Sequence, residues 1–172
     1  NIEMLDSRSN CMQAGFAVLE AAKAAYENKP LNEVISIAKN VIENSRFIFV
    51  PDTLEYLKKG GRIGRLAGTV GEFLNLKPII TTDEEGVYYN VAKVRGRKQS
   101  LSKMTELLKG YLDKGKCEVA VLHAGCEDEA IKYMNSLKDL PNIESIKIAE
   151  ISPALGIHGG PGLIGFSVKM VK

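Results

Sequence analysis

Tryptophan is absent from this chain, and the aromatic residues together make up only 6% of it. That scarcity argues against the stacked aromatic platforms on which single-stranded nucleic acids lie. The charges nearly cancel, leaving a formal net charge of +2, too small for the electrostatic footprint of a nucleic-acid binder. Cysteine is scarce: Cys11, Cys117 and Cys126 form no CxxC pair. An odd number without paired spacing speaks against a disulfide framework and a structural zinc site, and reads as free thiols in a reducing cytosol. The two histidines, His123 and His158, stand far apart without ligand spacing, so no metal centre is expected. No window approaches the roughly 20 apolar residues of a membrane span, and neither a Walker loop nor a Rossmann glycine fingerprint occurs.

What is present suits an ordinary globular domain. The 172 residues are 45% hydrophobic and 26% charged, enough for one core. Ile2 to Leu5 reads as a short apolar strand, and Asp6 to Asn10 as a set of candidate N-caps. Met12 to Glu27 carries Phe16, Leu19, Ala22 and Ala25 at helical spacing. Asn28-Lys29-Pro30 breaks that helix, and Leu31 to Asn44 forms a second, with Val34, Ile37, Ala38 and Val41 on one stripe. Arg46 to Val50 reads as a strand and Thr53 to Lys59 as a short helix closed by Gly60-Gly61. Arg62 to Leu74 reads as a glycine-interrupted helix.

Leu76 to Thr82 and Val87 to Val94 form a hairpin through Gly86. Helices over Ser100 to Lys114 and Glu127 to Leu137 then alternate with strands over Cys117 to His123, Ile143 to Ile151 and Ile164 to Val171. This alternation predicts an α/β domain, a mixed β-sheet with helices packed on it. The first helix opens almost at once after a truncated strand, which reads as a piece of a longer protein.

Three segments could carry chemistry. In Gly60-Gly61-Arg62-Ile63-Gly64-Arg65 the glycines free the backbone, and an arginine offers a rigid donor fork for a carboxylate or phosphate; taken alone, the segment reads more readily as a helix C-cap with a solvated arginine. Lys93-Val94-Arg95-Gly96-Arg97-Lys98 is a basic run that suits an acidic partner, a phosphate or simply a solvated rim. Gly156-Ile157-His158-Gly159-Gly160-Pro161-Gly162 surrounds a histidine with backbone that buries no side chains. It is suited to close approach of a ligand or to a sharp turn. His123, at the end of a buried strand, reads as structural and hydrogen-bonded there.

Four of these blocks together resemble the DegV family. They are Asp52-Thr53-Leu54-Glu55-Tyr56-Leu57-Lys58-Lys59-Gly60-Gly61-Arg62-Ile63, then Leu76-Lys77-Pro78-Ile79, then the basic run 93–98, and last the histidine loop 156–162. Asp6-Ser7-Arg8-Ser9 before a helix also fits. The blocks keep the family's order over nearly the whole chain.

The resemblance implies a two-lobed α/β protein enclosing one long-chain fatty acid, with this chain as its C-terminal portion. On that reading residues 1–28 are a remnant of the N-terminal lobe's edge and 29–172 the acyl-chain-binding domain. The acid's carboxylate would rest on Ser and Thr hydroxyls of the other lobe, beside His158. Implied ligand contacts are His158, Arg62, Gly159, Gly160, Ile63, Phe73, Ile79 and Phe166, and implied partner-facing cations are Arg95, Arg97 and Lys98. Some members present the acid to a fatty acid kinase, so a binding subunit without its own catalysis, cofactor or metal is expected. Cys11 stands where small hydroxyl residues are frequent in the family.

An alkyl tail needs an apolar tunnel, each buried CH₂ contributing about 0.8 kcal/mol. Val70, Phe73, Leu74, Ile79, Ile80, Val119, Val121, Ile164 and Phe166 are candidates for its lining, and equally for plain core. The rival functions are a phosphotransfer component using Arg62 and His158, and a basic docking module using Arg95, Arg97 and Lys98.

Overall fold

A computed structural model describes residues 2–69 and 76–171. Val70, Phe73 and Leu74 lie outside the described residues. Helix α1 (Cys11–Tyr26) is Ala-rich, as good helix formers require. Past its end Asn28 takes the left-handed conformation (φ 60°) that commonly closes a helix. Helix α2 (Leu31–Glu43) follows Pro30 and packs on α1. Strand β1 (Ser45–Val50), short helix α3 (Glu55–Lys59), a 3-10 turn (Gly64–Thr69) and strands β2 (Leu76–Thr82) and β3 (Tyr88–Arg95) come next. The remainder is α4 (Arg97–Leu112), β4 (Cys117–His123), α5 (Glu127–Leu137), β5 (Ile143–Glu150), α6 (Pro153–Gly159) and β6 (Ile164–Met170).

The six strands form one mixed sheet in the order β3-β2-β1-β6-β4-β5. Only β4 and β5 run parallel, joined by the α5 crossover that a parallel pair demands. The β2–β3 hairpin carries one irregularity. Ile79 pairs with Ala92 and Ile80 with Asn90, so Val91 is an extra residue absorbed as a bulge.

The faces of the sheet are covered differently. Side chains alternate between faces along a strand, and Ile48, Val50, Ile79, Val121 and Phe166 all point to the face beneath α4 and α5, where they form one continuous core with Met104, Leu108 and Tyr133. On the other face the buried residues fall into two separate clusters. Phe47, Phe49, Leu57 and Leu163 pack under α3 and the 3-10 turn, while Phe16, Ala17 and Val41 of the first two helices pack on Ala120 and Leu122. Phe49 can lie across its neighbouring strand because the paired residue is Gly165; a Cβ there would stand 2.5 Å from the Ile48 carbonyl oxygen.

Several local expectations differ from the structure, among them the helix expected from Arg62, which is a 3-10 turn over Gly64–Thr69. Residues 2–5 form no strand, and Ile2 and Met4 are exposed. The glycine-rich segment is largely helical, because Pro153 opens α6 at a helix start that tolerates it and Gly160 (φ 77°) closes it. Helix α4 begins three residues before Ser100. Helices α1 and α2 contact one another and both rest on the sheet.

Candidate functional site

Between the two clusters of the second face lies a cavity of about 570 Å³, within the usual range for small-molecule pockets. Its floor is apolar: Phe47, Phe49, Leu122 and Leu163 from the sheet and the residue entering it. Phe47 and Phe49 stack with ring centroids 5.8 Å apart and planes 6° from parallel. Tyr88 of β3 stands edge-on to Phe49 at 5.5 Å, a favoured aromatic arrangement. Leu57 of α3 and Leu155 of α6 add further apolar wall.

The polar lining comes from the segment before α1, from α6, from the turn after α3 and from the β2–β3 hairpin, where Thr82 and Glu85 border the space. Asn10 Nδ2 donates to the Tyr88 hydroxyl at 2.7 Å. Burial pushes that phenol's pKa up. Ser9 Oγ, Asn10 Oδ1 and His158 Nδ1 are buried and have no hydrogen-bond partner within the protein. Buried polar atoms in native proteins are nearly always paired, so three unpaired ones in residues that line a single cavity are unusual. Arg62, exposed at the edge of the cavity, donates through Nη1 to the Gly60 carbonyl at 2.7 Å. Cys11 also lines the cavity, and burial raises its thiol to about 11, so it stays a protonated, unreactive thiol.

The two glycine motifs interlock beside this cavity. The imidazole of His158 packs on Gly60, where a Cβ would collide with Nδ1, and Tyr56 packs on Gly160 in the same way. Gly159 admits Leu163, whose Cδ1 would lie 2.5 Å from an added Cβ. Gly60 and Gly160, one from each motif, thus allow the close approach of α3 and α6.

A family model described as "Uncharacterised protein, DegV family" matches residues 1–170. The chain belongs to the DegV family. A DegV domain-containing protein of Clostridium acetobutylicum is 44% identical over 172 residues, covering 99% of this chain and 60% of the relative. Among solved structures, a fatty-acid-binding DegV family protein from Thermus thermophilus superposes with a TM-score of 0.91 at 26% identity, covering 99% of this chain and 61% of the other. DegV of Bacillus subtilis, described as a fatty acid binding protein, gives a TM-score of 0.86 at 28% identity, with 99% and 61% covered. The chain thus spans about three fifths of the length of these relatives.

Against this DegV frame the expected site residues divide. His158, Arg62 and Gly159 line the cavity. Ile63 packs on the apolar cluster under α3, and Gly160 supports Tyr56. Ile79 and Phe166 are corrections: both are fully buried on the opposite face, in the core under α4 and α5, and cannot touch the contents of the cavity. Val119, Val121 and Ile164 belong to that core too, whereas Ile80 lies on the cavity side. Phe73 lies outside the described residues.

Of the basic run, Arg95 and Lys98 are exposed. Arg97 is a further correction, because its guanidinium turns inward. Nε and Nη2 donate to the Glu129 carboxylate at 2.9 and 2.7 Å, and Nη2 also donates to the Gly162 carbonyl at 2.7 Å. His123 is buried, as expected, but its Nδ1 has no partner. The cysteines are free thiols. Among the described residues no cluster of His, Cys, Asp and Glu could hold a metal, and no helix is long and apolar enough to cross a membrane. Phe47, Phe49, Tyr88, Leu122, Ser9 and Asn10 were not anticipated as lining. The available signal was the spacing Phe47-x-Phe49 on a strand, which puts two rings on one face.

Proposed function

We propose that this chain forms the acyl-chain-binding part of a DegV carrier for one long-chain fatty acid. The observation that carries the reading is the cavity itself: an aromatic and aliphatic floor bordered by polar residues, among them Ser9, Asn10, His158 and Arg62. An alkyl tail buried on Phe47, Phe49, Leu122 and Leu155 supplies most of the affinity, about 0.8 kcal/mol for each CH₂ removed from water. The carboxylate sits beside His158, whose imidazole donates to it, and residues of the remaining two fifths of the whole protein complete its shell. The fatty acid binding ascribed to the Thermus and Bacillus relatives supports this assignment. Arg62, Arg95 and Lys98, all exposed, face a partner such as a fatty acid kinase that takes up the presented acid. The chain is a binding subunit, and phosphorylation of the acid belongs to the partner.

Native mass spectrometry of the full-length protein, before and after lipid extraction, tests this. The expected result is a single adduct with the mass of a long-chain fatty acid, removed by extraction and restored by added oleic acid. Absence of an adduct together with no uptake of oleic acid would overturn the assignment.

A further inference from the structure

The basic run 93–98 contains one arginine that does not behave as a surface cation. Arg97 opens α4, with Lys98 beside it and no acidic residue in the first turn. A cation at a helix N-terminus opposes the helix dipole, so local helix formation does not explain it. Its compensation is distant in sequence. Glu129, in the first turn of α5, accepts Arg97 Nε and Nη2 as a bidentate pair at 2.9 and 2.7 Å, and Nη2 reaches the Gly162 carbonyl at 2.7 Å.

Gly162 belongs to the turn that links α6 to β6, and its φ of 76° is the left-handed conformation that favours glycine. Asp52 abuts the same residue: its Cβ would lie 3.2 Å from a Cβ on Gly162, and Lys77 holds its carboxylate at 3.0 Å. The turn is also stitched to β4, with Gly162 N–H donating to the Ala124 carbonyl at 2.8 Å and Ala124 N–H to the Leu163 carbonyl at 2.9 Å. His158 lies four residues before Gly162, and its Nδ1 has no hydrogen bond of its own. The place of the imidazole is therefore set by the backbone around it.

We infer that Arg97 and Glu129 are positioning residues for the ligand site: their ion pair fixes the Gly160–Gly162 turn and, through it, the imidazole of His158 at the cavity. This rests on the reading of the cavity as a fatty-acid site. The planar fork of arginine matters because one guanidinium must satisfy a carboxylate and a carbonyl together, which a lysine ammonium does not reproduce in that geometry.

The test uses the full-length protein with oleic acid as the probe, measured by calorimetric titration. Glu129→Gln, which keeps shape and removes charge, is expected to weaken oleic acid binding about tenfold, the effect of losing a charge-assisted hydrogen bond. Arg97→Ala behaves alike, and Arg97→Lys does not restore binding. In a His158→Ala background, Glu129→Gln produces no further loss, because residues acting through one group are non-additive. The imidazole resonances of His158, assigned by their disappearance in His158→Ala, shift in Glu129→Gln. Unchanged affinity with unchanged resonances, or losses that multiply in the double variant, overturns the inference. If the unmodified protein takes up no oleic acid, the fatty-acid reading fails, while the His158 resonances still decide whether Glu129 positions the imidazole. Thermal melting of Glu129→Gln identifies a variant that has failed to fold, and Arg97→Lys then supplies the same comparison.

Discussion

His158 and Gly60, from the two glycine motifs of the chain, are in direct contact: the imidazole occupies the space where a side chain on Gly60 would begin. The contact makes Gly60 a steric requirement, since its own φ of −79° is open to any residue. Gly61 is the converse, with φ of 68° and open space around an added Cβ. Gly60→Ala is therefore expected to displace His158, lowering stability by about 1–3 kcal/mol as overpacking does and reducing fatty-acid retention. Gly61→Ala should lose about 1–2 kcal/mol from backbone strain alone and keep its retention. Urea unfolding and native mass spectrometry of the two variants make the comparison. Equal retention in both would count against the His158 contact.

On the proposed function, the sheet separates stability from ligand uptake by face. Ile79 lies wholly in the core under α4 and α5, so Ile79→Val should lower stability by about 0.5–1.5 kcal/mol without changing oleic acid affinity. Leu155 lines the cavity and is only partly buried. Leu155→Trp fills the space and should abolish uptake with little change in melting temperature. A Trp variant that binds oleic acid normally would show that the acid lies elsewhere.

Much of the architecture could be read from periodicity and turn residues. The alternation of helices with strands, the hairpin through Gly86 and the limits of β4 and α5 all match the structure. The location of the cavity could not be read. Strands β1, β4 and β6 are buried on both faces, so their apolar runs carry no alternation to say which face is fully covered. That is why Phe166, Val121 and Ile164 read as candidate lining while Phe47 and Phe49 do not stand out. Helix α6 was hidden because glycine weakens helix signals, although Pro153 marks its start. Arg97 was misread because its partner Glu129 lies 32 residues away.

Lys169 illustrates a pH dependence that two elements create together. Its side chain is 8% exposed and meets Glu20 of α1 at 2.6 Å and Glu118 of β4 at 2.9 Å. Burial opposes its charge, but the hydrogen bonds it donates to these carboxylates leave its pKa above the usual lysine value. The Lys169 hydrogen bond holds Glu20 below the usual carboxylate value. The Glu20 contribution to stability is present above the ordinary carboxylate pKa and is lost as pH falls through the lowered one. The Lys169 contribution is present below the ordinary lysine pKa and is lost as pH rises through the raised one. Lys169→Met should flatten the stability profile at both extremes, measured by urea unfolding across pH. A parent protein with no slope at either end would refute this.

The bulge that absorbs Val91, the extra residue of β3, keeps the hairpin from turning over. On one side of it Tyr88 and Asn90 share the cavity face with Ile80; on the other, Ala92 and Val94 share the opposite face with Ile79. Without Val91 the strand would alternate regularly and still deliver Tyr88 to Phe49 and Val94 to the core. A one-residue deletion in mid-strand, ordinarily ruinous to a half-buried sheet, should here leave a folded protein whose Tyr88 still shows ring-current shifts from the phenylalanines. Scrambled amide spectra in that deletion would disprove it. The hairpin thus tolerates a change in its length where its neighbours tolerate none.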